Sequence, residues 1–133
     1  MAILEKLNEI VDMQLANMRE HSPVMFSPFG AILATLTIAY AAKGLYFVFC
    51  ILSGNGLSNA NPRDNPPPKN SIASRANAAH FNGIEATVLI TAAVFMGTVA
   101  GLNKSLFEEL TTLFVFSRIA HLVSYLFAFH EVL

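Results

Sequence analysis

The chain has 133 residues, 54% of them hydrophobic and 13% charged, with a formal net charge of -1 and a mean hydropathy of +0.52. A soluble domain carries about 25% charged residues, so the composition points to a membrane protein, and the lack of a basic cluster excludes the electrostatic footprint of a nucleic-acid binder. The single cysteine, Cys50, cannot form an intrachain disulfide and reads as a buried thiol, and no Cys/His spacing points to a metal.

Residues 1–20 mix Glu5, Lys6, Glu9, Asp12, Arg19 and Glu20 with apolar residues, so no uninterrupted apolar signal segment is visible. Targeting then falls to the membrane helices themselves. Within residues 2–20, Leu4, Leu7, Val11, Leu15 and Met18 recur at steps of three and four, the pattern of an amphipathic helix. Its four acidic residues against two basic ones argue against a polybasic lipid-binding helix. It lies on the membrane surface or packs on a partner.

Ser27 and Pro28 supply an N-cap and a proline at the first helical position. Residues 28–53 then run apolar, interrupted chiefly by Lys43, a length that crosses a hydrocarbon core of about 30 Å. Residues 54–70 contain two glycines, four prolines and five asparagines, which end the helix. A loop this long is functional or flexible. Residues 71–101 form the second spanning helix, introduced by Ser71, Ser74 and Arg75. A short turn at Gly101 to Lys104 leads to a third, from Ser105 to about His130, with Ser105 and Glu108 spaced as a capping box.

The expected fold is therefore an all-α transmembrane bundle forming a single domain over residues 1–133. It has three spans and an amphipathic amino-terminal helix. The chain is a multi-pass integral membrane protein, with endomembrane, organellar and bacterial inner membranes all open. The first loop carries Arg63 and Lys69, with Arg75 close by, whereas the second turn has Lys104 alone. The positive-inside rule then puts the first loop in the cytosol.

Two spans carry polar stripes that a lipid-facing helix would not keep: Arg75, Asn82 and Glu85 on the second, Arg118, His121 and Tyr125 on the third. An ionised side chain near the bilayer centre costs about 2.5 to 3.5 kcal/mol on insertion scales, so such residues turn to a protein interior and mark function. The short turn makes these helices an antiparallel pair. Glu85 then falls level with Arg118, and Asn82 level with His121, to within one helical turn. An unpaired charge in lipid is costlier than a pair, so the sequence predicts a Glu85–Arg118 ion pair, with Lys43 at a comparable depth. The bland readings stand beside this one. Such a pair can simply lock register, His121 can be an interhelical hydrogen-bonder, and Tyr125 an interface anchor.

His80 falls roughly opposite Asn82 on the helix and reads as a packing or subunit contact. Gly97-x-x-x-Gly101 permits close helix approach, a weak signal alone. Asn103-Lys104-Ser105 matches a glycosylation acceptor but sits in a turn pressed against the membrane.

Residues 75–85 read RANAAHFNGIE and residues 117–126 read SRIAHLVSYL. The patterns A-H-x-N-x-x-E and R-x-A-H-x-x-x-Y-L, with Ala60-Asn61-Pro62-Arg63-Asp64 after the first helix, resemble the membrane-associated proteins in eicosanoid and glutathione metabolism (MAPEG). In motif the chain is closest to the microsomal prostaglandin E synthase and glutathione transferase members. The resemblance covers roughly residues 28–130.

It implies a homotrimer of helical bundles with glutathione bound between subunits at the cytosolic side. A lipophilic electrophile or peroxide would approach from the bilayer. Carried over position by position, Asn82, Glu85, His121 and Tyr125 match glutathione-contacting or site-lining residues, and Arg118 matches the arginine supporting them. Arg75 joins this candidate site, and no catalytic residue is assigned. The sequence departs from the pattern at Ala78 and Phe81, where the prostaglandin synthase has arginines. The family's fourth span and its thiol-activating arginine are also missing from the sequence up to Leu133. Turnover is expected to be weak unless another chain or a further segment supplies that cation.

Two functions follow. One is a glutathione-dependent transferase or peroxidase acting on lipophilic substrates. The other is a non-catalytic subunit of a larger membrane complex that keeps the bundle and has lost its activity. Membrane lipid is a partner in either case.

Overall fold

Three helices form where the apolar runs and their caps place them: α1 over Pro28–Leu52, α2 over Ile72–Val99 and α3 over Lys104–Phe127. They are seen in a computed structural model, which describes residues 26–54 and 66–127 together with Lys6, Glu9, Ile10, Met13 and Ala16. Those five positions are helical and exposed. The apolar stripe read from Leu4 to Met18, the motif at residues 60–64 and His130 lie outside the described residues.

The caps explain the boundaries. Ser27 Oγ accepts from Gly30 N at 3.1 Å, with Pro28 as the first helical residue. Ser71 Oγ accepts from Ser74 N at 3.1 Å and opens α2 in the same way. At the far end of α2, Leu102 N donates to Gly97 O and Gly101 N to Thr98 O, with Gly101 at φ 66°. This paired closure needs a left-handed residue, which glycine adopts without steric cost.

The start of α3 corrects the capping-box expectation. Asn103 Oδ1 accepts from Ser105 N at 2.9 Å and caps the helix. Glu108 reaches back to Lys104 at 3.9 Å instead, while Ser105 Oγ is buried without a partner. Asn is as good an N-cap as Ser. Its position two residues ahead of Ser105 starts the helix one residue earlier than expected.

Each helix is long and apolar enough to cross a membrane, and the chain is an all-α, multi-pass integral membrane protein. Large apolar side chains such as Leu33, Leu89, Phe95 and Leu113 are exposed on the outside of the bundle. That surface suits lipid, where backbone polar groups must be satisfied within the helices.

The seam between α1 and α2 is the most extensive helix contact. It is built from small residues: Ala31, Thr35, Ala39 and Ala42 against Ala73, Ala76, Ala79 and Ala86, all buried. Small side chains bring membrane helices close, where dispersion forces hold them. α3 packs across this pair through Phe107, Thr111, Thr112 and Val115, and Thr112 Oγ1 accepts from Phe26 N at 3.3 Å. Gly97 serves the α2–α3 hairpin, since a Cβ there would lie 2.8 Å from Phe107 Cζ. The two glycines of GxxxG therefore do different work, one in packing and one in the turn.

Candidate functional site

The α2–α3 register agrees with the depth expected from the short turn. Gly97 meets Phe107 near the turn, and Arg75 Nε donates to Leu126 O at 3.3 Å at the opposite end. Midway, Gly83, Arg118 and His121 border one crevice. The candidate residues of α2 and α3 thus sit at matching levels.

Their directions differ. On α2 the buried seam runs through Ala76, Ala79, Ala86, Ile90 and Val94. Asn82 and Glu85 lie on the neighbouring stripe, because each residue turns the helix by about 100°. Asn82 is half-buried and Glu85 exposed. On α3, by contrast, Arg118 and His121 continue the inward-facing side and line the crevice with Thr35, Ala39 and Gly83.

The expected Glu85–Arg118 ion pair is therefore not formed. Among the described residues the ion pair present is Lys104–Glu108. The physical reason is packing: α2 rotates to press its smallest residues against α1, which carries Glu85 away from α3. Arg118 instead lies over the Phe114 ring, its guanidinium carbon 5.5 Å from the centroid. Arg118 Nε and His121 Nε2 are both buried with no hydrogen-bond partner. His121 stacks at a tilt on Tyr125, centroids 5.2 Å apart, and Tyr125 is 36% exposed at the edge of the bundle.

Lys43 does not join Glu85 either. Its Nζ donates to Asn77 Oδ1 at 2.8 Å and sits 4.3 Å from the Tyr46 ring centroid. Lys43 is thus level with Asn77, eight residues or about 12 Å from Glu85 along α2. Arg75 occupies the same first-loop end, where its Nη1 also donates to Asn70 O at 2.7 Å. His80 is a packing residue: its Nδ1 lies 2.9 Å from Ala39 O, and its ring meets Tyr40 edge-on.

Two residues of this region escaped the sequence reading. Asn77 holds Lys43, and Gly83 permits a close α1–α2 approach at Ala39. Gly83 carried a signal, since a glycine in mid-helix costs about 1 kcal/mol relative to alanine and implies a packing reason. Asn77 carried a weaker one, as one more polar residue in a span.

The arrangement divides into three zones. A cationic zone near the first loop holds Arg75 and Lys43, both hydrogen-bonded. A mid-depth crevice holds Arg118 and His121. An outward flank presents Asn82, Glu85 and Tyr125 without a hydrogen bond or ion pair among the described residues. No group of three His, Cys, Asp or Glu side chains among the described residues could hold a metal ion.

Comparison with known proteins gives one family. The model of the MAPEG family matches residues 29–132, which cover all three helices but for Pro28. No curated protein and no solved structure matches the chain.

Proposed function

Because the chain belongs to the MAPEG family, we propose that it binds glutathione between subunits and acts as a transferase or peroxidase on lipophilic substrates. The observation that carries this reading is the polar pair Asn82 and Glu85 at mid-span of α2, with Tyr125 nearer the first-loop end of α3, none of them hydrogen-bonded or ion-paired among the described residues. An intramembrane carboxylate without a partner needs one from outside. A second copy of the chain and a charged tripeptide supply it together, which favours a homotrimer or similar assembly.

The donor and acceptor chemistry fits. Glu85 offers a carboxylate for the ligand's ammonium, and Asn82 offers both an acceptor and donors for its amide groups. Tyr125 offers a hydroxyl donor at the open edge, where a thiolate would be stabilised. His121 orients the Tyr125 ring through their stacking. Arg118 and Arg75 add positive potential on the inner side and at the first-loop end, which suits an anionic peptide. Bound glutathione supplies the thiol nucleophile and the reducing electrons. The apolar outer surface of the helices lets a lipophilic co-substrate arrive from the bilayer.

The two motifs favour the prostaglandin E synthase and glutathione transferase branches of the family, on residues 75–85 and 117–126 alone. The test is thermal unfolding of the purified protein in detergent, with and without millimolar glutathione. A ligand at about 100 times its dissociation constant stabilises by about 2.7 kcal/mol. Protection that falls in Glu85→Gln and Tyr125→Phe supports the reading. Absence of any shift at millimolar glutathione overturns it and leaves a non-catalytic membrane subunit.

A further inference from the structure

The outer groove between α1 and α2 carries a cation that its own chain leaves only partly satisfied. Lys43 Nζ donates to Asn77 Oδ1 at 2.8 Å, and it lies 4.3 Å and 5.4 Å from the ring centroids of Tyr46 and Phe47. An ammonium has three N–H donors, and this hydrogen bond uses one of them. Among the described residues no carboxylate pairs with Lys43; the ion pair present is Lys104–Glu108. Lys43 and Asn77 are both half-buried, so the remaining donors are within reach from outside the bundle.

Depth identifies what lies outside. α2 has 28 residues, about 42 Å of helix, against a hydrocarbon core of about 30 Å. When centred it extends about 6 Å past the hydrocarbon at each end. Asn77 lies five residues beyond Ile72, about 8 Å along the axis. The ammonium it holds therefore sits close to the boundary between acyl chains and headgroups, on the first-loop side. Lys43 starts deeper, nine residues from Leu52, and reaches up to that level, as long cationic side chains do near membrane-helix ends.

Direction separates this groove from the candidate glutathione residues. Arg75 faces α3 through Leu126 O, and Asn77 is two residues on, about 200° around α2. The Lys43–Asn77 link therefore looks away from α3. One turn deeper in the same groove, the Tyr40 and His80 rings meet edge-on and His80 packs on Phe81. Tyr40 is 58% exposed and Phe81 57%, so an open aromatic track lies below the cation.

We propose that this groove binds an anionic phospholipid of the first-loop leaflet, with Lys43 Nζ donating to a phosphate oxygen and an acyl chain lying along Tyr40 and Phe81. Charge complementarity selects a net-negative headgroup, because a zwitterionic one brings its own ammonium to the same place. Basic pockets between membrane helices near the surface take up such headgroups. The site does not rest on the glutathione reading. Arg118, His121 and Tyr125 belong to α3, Asn82 lies about 140° away around α2, and Glu85 lies about 12 Å deeper.

Native mass spectrometry of the purified protein in an uncharged detergent tests it. Dioleoylphosphatidylglycerol and dioleoylphosphatidylcholine compete at equal concentration, without glutathione. Wild-type protein should retain the anionic lipid about fivefold more, the factor that one cationic side chain at a lipid headgroup supplies. Lys43→Gln should abolish that preference, and Lys43→Arg should keep it. Lys69→Gln, which removes an exposed cation at the same end, should leave it unchanged.

Equal retention of the two lipids overturns the proposal. So does a preference that survives Lys43→Gln, or one that Lys69→Gln removes equally. Displacement of the phospholipid by equimolar oleate also overturns it and assigns the groove to a single-chain carboxylate. Wild-type protein keeps the test decisive where Lys43→Gln fails to fold. Phosphatidylglycerol bearing a diazirine in its acyl chain should label the peptides that contain Tyr40 and Phe81. Labelling confined to α3, or spread evenly over the helices, overturns the proposal. Because glutathione is not present, a negative result removes the lipid site and leaves the glutathione reading untouched.

Discussion

Gly83 faces Ala39 so closely that a Cβ added to the glycine would lie 2.6 Å from Ala39 Cβ and 2.9 Å from its Cα. The obstacle is partly backbone, which cannot swing aside like the end of a long side chain. In an open helix, Gly→Ala gains about 1 kcal/mol from helix propensity. Here overpacking costs about 1 to 3 kcal/mol, so the two effects oppose and the clash wins. Gly83→Ala should lower the thermal midpoint in detergent. Gly44→Ala, where an added Cβ meets nothing within 4 Å, should leave it unchanged or raise it. Equal midpoints for the two variants would contradict the tight α1–α2 seam.

Gly97 presents the softer version of this conflict. Its added Cβ would meet the tip of the Phe107 ring, at 2.8 Å from Cζ. Gly97→Ala should therefore destabilise the hairpin, and Phe107→Leu should relieve much of that loss. A double-mutant cycle on thermal unfolding should give a favourable coupling of about 0.5 to 3 kcal/mol. Additive effects would show that the ring moves away at no cost.

Lys43 and Asn77 form the polar link between α1 and α2, at 2.8 Å. Asn77→Ala leaves the ammonium without that acceptor, and a hydrogen bond to a charged group is worth about 1.5 to 3 kcal/mol. Lys43→Met in the same background removes the stranded charge while keeping an apolar stem of similar length. The double variant should therefore unfold at a higher temperature than Asn77→Ala alone. The opposite order would mean that the Tyr46 ring, 4.3 Å from Nζ, already suffices to hold the charge.

The sequence makes the spans legible because lipid demands about 20 consecutive apolar residues and helix ends demand caps. Ser27, Pro28 and Ser71 mark two starts directly. Depth on α2 and α3 is legible for a related reason: a turn of a few residues fixes how two helices align. Direction is not. It depends on which face of α2 meets α1, and that choice follows from the small residues Ala76, Ala79, Gly83 and Ala86. The long loop over residues 54–70 hides the α1 register. Lys43 accordingly reads as a neighbour of Glu85 in sequence and proves to be the partner of Asn77. The α2–α3 register is legible from the short turn, while the side-chain pairings needed three helices at once.

Arg75 ties the start of α2 to the end of α3, donating through Nε to Leu126 O at 3.3 Å and through Nη1 to Asn70 O at 2.7 Å. Leu126 O lies near the first-loop end of α3, where Arg75 supplies it a charged donor. The forked, planar guanidinium reaches both carbonyls at once, which a single ammonium on a flexible stem cannot reproduce. Arg75→Lys should therefore loosen the end of α3 without disturbing its middle. Losing one charge-assisted hydrogen bond of at least about 1.4 kcal/mol corresponds to roughly tenfold faster local opening. Amide hydrogen exchange should show that acceleration over residues 123–127, with protection around Thr111 and Val115 unchanged. A uniform acceleration along α3 would instead assign Arg75 to global stability, and unchanged exchange would remove the link.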